Sequence, residues 1–223
     1  MKNFFYDFFR WLAIIFGYPM QLIFFKRKTY YENNVKRKGW KKGGALVISN
    51  HYNVFDYFMN MFLVLPRKLN VVSSEIPYQN KFLTFGMKFV GGIEANRITR
   101  NMSFIKKSAE LIAKGQLVQI FPEGRNSPDG NIQPFKKSYI VIAHQAKAPI
   151  IPIVTDGNYG FFKRASVLIG NPINVSDYIT STGMMPAKDE LNHVNEIVFN
   201  KVLELRQQLE ELKSSSKKSK KQK

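Results

Sequence analysis

The chain has 223 residues, 44% of them hydrophobic, which is enough for one good core and one domain. Its 34 basic residues against 16 acidic ones leave a formal net charge of +18, pointing to a polyanionic partner: nucleic acid, an anionic membrane face or acidic substrates. No cysteine is present, so disulfides, thiolate metal sites and cysteine nucleophiles are excluded, and a reducing, cytoplasmic setting is allowed.

Residues 4–25 are dominated by aromatic and aliphatic side chains. The uncharged part, Trp11 to Phe25, is 15 residues long, short of the ~20 that a helix needs to cross a bilayer. Gly17-Tyr18-Pro19 interrupts it, because proline removes a helical hydrogen bond and clashes with the preceding turn. The expectation is therefore two short interfacial helices over residues 1–28, lying in one leaflet with Trp and Tyr at headgroup level. An acidic residue near the start and the break at Pro19 argue against a signal peptide. The alternative is that these helices cap the protein's own core. A basic cluster follows at once, from Lys26 to Lys42, placed to meet lipid phosphates.

Next comes a regular alternation of elements over residues 29–212. Strands are expected at Ala45–Ser49, Leu69–Ser73, Gln116–Phe121, Ile150–Thr155 and Ser166–Ile169. Helices are expected at Asn53–Leu63, Gln79–Val90, Ser103–Lys114 and Lys137–Lys147. A long amphipathic helix over Asp189–Leu212 carries Leu191, Val194, Val198, Val202, Leu205, Leu209 and Leu212 along one stripe. Such alternation defines an α/β fold: a single domain with a central mixed or largely parallel sheet flanked by helices. Pro149 and Pro152 suggest that the strand around them lies at an edge or entry position. Residues 213–223 hold six lysines and no apolar side chain, and read as a disordered basic tail.

Chemistry concentrates at the ends of the strands. His51 follows the Ala45–Ser49 strand, and Asp56 lies one helical turn into the next element. The carboxylate can curl back to the imidazole and orient it as a general base; alternatively the pair simply caps the helix. After the Gln116–Phe121 strand, Phe121-Pro122-Glu123-Gly124-Arg125-Asn126-Ser127 makes a turn whose backbone can approach an anion closely. Gly91-Gly92 leads to Arg97, whose guanidinium can grip a phosphate in a bidentate fork. His144 and His193 fall within helical patterns and read as ordinary helix residues.

These signals occur in one order along the chain: Asn50-His51-x4-Asp56, then Gly91-x-Ile93-Glu94-Ala95-Asn96-Arg97, then Phe121 to Ser127, then Pro149-Ile150-Ile151-Pro152. In this the chain resembles the glycerolipid acyltransferases, most closely the 1-acylglycerol-3-phosphate (lysophosphatidate) acyltransferases, over residues 40 to 175. It departs from their pattern at Asn53, Asn96 and Ser138, and at Arg125, which stands one residue early. The resemblance implies that His51 and Asp56 are catalytic, and that Arg97, Glu123, Gly124, Arg125, Ser127 and Lys136 bind the acceptor. It implies an acyl-CoA or acyl carrier protein donor, a lysophospholipid acceptor, no cofactor or metal, and a place on the cytoplasmic face of the cell membrane. Glycerol 3-phosphate is the alternative acceptor. A basic nucleic-acid-binding protein is the alternative class, disfavoured because the aromatics sit in one apolar block and do not interleave with the basic residues.

Overall fold

The computed structural model describes residues 2–34, 42–96, 102–127, 129–161 and 163–221. In chain order these form α1 (Lys2–Phe24), β1 (Lys28–Tyr31), β2 (Ala45–Ser49), α2 (Phe55–Leu63), β3 (Leu69–Ser74), α3 (Lys81–Phe89), β4 (Gly92–Ala95), α4 (Ser103–Ala113), β5 (Leu117–Ile120), α5 (Ser138–Ala146), β6 (Ile150–Thr155), β7 (Ser166–Ile169) and α6 (Lys188–Lys221). The strands make one sheet in the order β1-β7-β6-β2-β5-β3-β4. Every pairing is parallel except β6 with β7. The expected α/β class and largely parallel sheet are observed.

β2 is apolar from Ala45 to Ile48 and buried at all five positions, so it can be covered on both faces at the centre of the sheet. Its alternate residues serve two cores. Leu46 and Ile48 face the layer of α4, α5 and α6, where Val194, Val198, Val202, Leu205 and Leu209 of the α6 stripe are buried. Ala45 and Val47 face the layer of α1 and α2, with Ile14, Met59 and Phe62. Two edge strands escape the sequence reading. β1 lies in the basic cluster and pairs with β7, while β4 occupies what reads as a glycine-led turn. Each is four residues long, so its state depends on the neighbour it pairs with.

Three expectations are corrected. The N-terminal segment is one helix, not two. Gly17, expected to break it, lets α1 ride onto α2: a Cβ there would meet Phe62 Cζ at 3.1 Å. Pro19 forfeits the bond to the Ile15 carbonyl, and Ile15 is exposed. The proline-bearing strand β6 is internal, between β7 and β2. Pro152 is tolerated because it sits where the β7 pairing ends, its carbonyl accepting from Gly170 N at 2.9 Å. Residues 213–221 continue α6 as helix instead of leaving it as a disordered tail. The Lys213 ammonium is held by Asp156 at 3.1 Å, and the Ser214 and Ser215 hydroxyls bond back to the Glu211 carbonyl.

Candidate active site

The site forms at the carboxyl ends of β2, β5 and β6, where open parallel sheets bind ligands. Asn50 directly follows β2 and is buried. Its amide donates to the Thr155 carbonyl (3.0 Å) and accepts from Thr155 N (2.9 Å), tying the ends of β2 and β6 together. His51 therefore leaves a rigid platform. Its ring stacks on Phe121, at 3.8 Å between centroids and 14° between planes.

Asp56 lies in the first turn of α2 and is fully buried. Its Oδ2 accepts from Asn53 N at 2.8 Å and lies 3.0 Å from His51 Nδ1. Its Oδ1 accepts from the Tyr159 hydroxyl, which also bonds Thr155 Oγ1. Burial raises the Tyr159 hydroxyl pKa, and the neighbouring Asp56 charge raises it further, so this group stays a neutral donor. With Nδ1 committed to the carboxylate, Nε2 is the ring nitrogen left to exchange a proton. A helix-capping role is not needed for His51, since Asn53 Oδ1 accepts from Phe55 N at that end.

His51 borders a cavity of about 460 Å³. One side is apolar, with Val71, Val72, Met87 and Val90; the other carries Gly124, Arg125 and Asn126. Arg125 is exposed and donates to Gln133 Oε1 at 2.9 Å. Gly124 has φ +68°, and a Cβ there would meet Lys136 Nζ at 2.8 Å, so the turn packs directly on the Lys136 stem.

Glu123 and Ser127, read as acceptor-binding, are placed behind the cavity wall. The Glu123 carboxylate takes His51 N (2.9 Å) on one oxygen and Gln133 N (2.9 Å) on the other. Burial raises its pKa, while those amides pull it back down. Ser127 N donates to the His51 carbonyl at 2.7 Å, and its hydroxyl donates to the Asn131 carbonyl at 2.6 Å. Both residues thus clamp the Phe121–Ser127 turn to the histidine. Arg97 lies outside the described residues. His144 bonds the Gly183 carbonyl and His193 packs on Tyr178, both away from this site. Among the described residues, no group of three His, Asp or Glu side chains is placed to hold a metal.

Tyr159 and the Asn50–Thr155 link carry no motif signal. Each depends on contacts more than 100 residues apart in sequence (103 for Tyr159–Asp56, 105 for Asn50–Thr155).

A buried carboxylate orienting a histidine beside an apolar cavity suits removal of a proton from a hydroxyl as its oxygen attacks an acyl carbonyl. The Acyltransferase family model matches residues 23–156, more than half of the chain, and the chain belongs to that family. It is 26% identical to a Bacillus subtilis (strain 168) 1-acyl-sn-glycerol-3-phosphate acyltransferase over 83% of this chain and 90% of that one. A relative of the same name from Cocos nucifera is 29% identical, over 69% of this chain and 51% of its own length. The fold matches the crystal structure of the Thermotoga maritima 1-acyl-sn-glycerophosphate (LPA) acyltransferase PlsC, with a TM-score of 0.56 and 20% identity, covering 84% of this chain and 73% of that one.

Proposed function

We propose that this acyltransferase moves a fatty acyl group from a thioester, acyl-CoA or acyl carrier protein, to the free hydroxyl of 1-acylglycerol 3-phosphate, giving phosphatidic acid for phospholipid synthesis. The observation that carries the reading is His51 Nδ1 at 3.0 Å from buried Asp56, with the ring bordering a largely apolar cavity that Arg125 also lines. The acceptor after which both relatives are named supports this choice.

The acceptor hydroxyl gives its proton to His51 Nε2 as its oxygen attacks the thioester carbonyl. Asp56 holds the tautomer and stabilises the imidazolium. The carbonyl then re-forms, the C–S bond breaks, and the imidazolium returns its proton to the departing thiolate. No acyl-enzyme forms. Arg125, Lys136 and Arg97 supply positive charge for the acceptor phosphate, and Gly124 gives the phosphate close access to backbone. Glu123 and Ser127 serve this site by fixing its shape.

The acyl chain has room in a second, apolar cavity of about 680 Å³ between α1, α2 and α3, which shares Phe58 and Val90 with the first. Among the described residues no helix is long and apolar enough to cross a membrane. Membrane association instead rests on α1, which buries Arg10, Ile14 and Gln21 against the domain and exposes Ile15, Phe16, Met20 and Ile23. The test is purified protein with a radiolabelled acyl thioester, offered lysophosphatidate, glycerol 3-phosphate and lysophosphatidylcholine in turn. Lysophosphatidate should give the highest kcat/KM; preference for either other acceptor reassigns the substrate.

A further inference from the structure

α3 is amphipathic in an unusual sense: none of its residues is buried. Phe82 is 81% exposed, and Leu83, Phe85 and the preceding Ile76 are exposed with it. A soluble surface rarely gathers so much apolar area in one helix. A second apolar point stands on the loop between β6 and β7, where Phe161 is 66% exposed. Neither lies apart from α1. Phe161 packs on Phe24 of α1, with centroids 5.7 Å apart, and Phe85 packs on Phe89 at 4.6 Å. Phe24, Phe89 and Phe161 border the same apolar cavity, together with exposed Met20 and Ile23. Three separate stretches of chain thus present apolar side chains around one opening.

The charges beside α3 and Phe161 carry one sign. Lys81 and Lys88 flank the apolar residues of α3, Lys163 and Arg164 follow Phe161, and all four are exposed. Residues 76–90 and 160–165 contain no aspartate or glutamate. Apolar side chains ringed by bases match an anionic leaflet, where hydrocarbon takes the rings and phosphates take the ammonium and guanidinium groups. A second copy of the chain, at net +18, would repel this rim.

We propose that the membrane-facing surface is a platform of three parts, α1, α3 and the Phe161 turn, which seats the apolar cavity on an anionic leaflet. This rests on the membrane association proposed above and extends it to residues distant in sequence from α1. The platform sets the cavity opening against the acyl chains, so a lipid can enter without crossing water.

Because the chain has no cysteine, one introduced at Phe82 labels cleanly with an environment-sensitive fluorophore. Glu110→Cys on α4, exposed on the opposite side of the sheet, is the control. The full chain is mixed with vesicles of phosphatidylcholine alone or with added phosphatidylglycerol. The expected result is a blue shift at Phe82→Cys, none at Glu110→Cys, and a larger response with the anionic lipid. Phe82→Glu/Phe85→Glu should co-sediment at least about tenfold more weakly than wild type while keeping its melting temperature and its turnover of a short-chain, monomeric acceptor. If wild type co-sediments but the Phe82 label stays aqueous, the platform is overturned and α1 alone anchors the protein. If wild type does not co-sediment with either vesicle, the membrane reading itself fails and takes the platform with it. A blue shift that follows protein concentration without vesicles assigns the surface to a second copy, and also overturns it.

Discussion

At the scale of single residues, the reaction rests on where one proton can go. His51→Ala removes the acceptor of that proton and should lower kcat by about 10²–10⁴-fold without changing the melting temperature; near-wild-type turnover would remove His51 from the role. Tyr159 acts through Asp56. Its hydroxyl neutralises part of the charge on Oδ1, while both other donors, Asn53 N and His51 Nδ1, lie on Oδ2. Tyr159→Phe leaves Oδ1 buried without that donor, making the carboxylate a stronger partner for the imidazolium. The acid limb of the kcat/KM profile should then move to higher pH, while kcat should fall by roughly tenfold with little change in KM, because a carboxylate no longer tethered at Oδ1 holds the ring less firmly in its working orientation. A stability loss with an unmoved pH profile would reduce Tyr159 to packing. Of this cluster, His51 and Asp56 are legible in sequence because five positions and a helical turn bring them together. Tyr159 is not, because only β6 and the loop after it deliver it.

Among the elements, α6 shows how far a periodic pattern reaches. Its apolar stripe is plain in the sequence and packs as the pattern implies. What α6 does for the site is not plain: Arg206 donates to the Thr155 carbonyl at 3.2 Å, the carbonyl that also holds Asn50. The start of α6 is set by Glu190, which accepts from Ala187 N in a capping-box arrangement and from the Ser181 and Thr180 hydroxyls. The Ser181 hydroxyl and then Thr180 N hold this carboxyl down to about 2, from an ordinary value of 4.5. A depressed carboxyl contributes stability that is present above its unfolded value and lost as pH falls through its folded one. The difference in Tm between wild type and Glu190→Gln should therefore shrink between pH 4.5 and about 2. A constant difference would mean that the carboxylate charge does not matter there. The edge strands β1 and β4 are illegible in the sequence for the converse reason, since four residues hold too little pattern to declare themselves without a partner.

For the whole molecule, the two sheet faces divide the labour. One packs α4, α5 and α6; the other carries α1, α2 and the apolar cavity between them. On the proposed membrane-facing surface, the excess of basic residues adds a long-range attraction to anionic lipid that salt should screen. Raising the ionic strength from about 0.01 M to 0.15 M, which shortens the Debye length from about 30 Å to 8 Å, should weaken vesicle association while leaving the apolar contribution in place. Salt-independent binding would assign the affinity to the apolar residues alone. By itself the sequence determined the α/β alternation, the β2 strand, the α6 stripe and the His51–Asp56 pair, because each is written in spacing over a few residues. Only the tertiary structure decided that Pro152 sits inside the sheet, that Glu123 and Ser127 brace the histidine from behind, and that Phe161 packs on Phe24 of α1. Those outcomes depend on which distant strands pair and which faces remain uncovered, and neither is encoded in local periodicity.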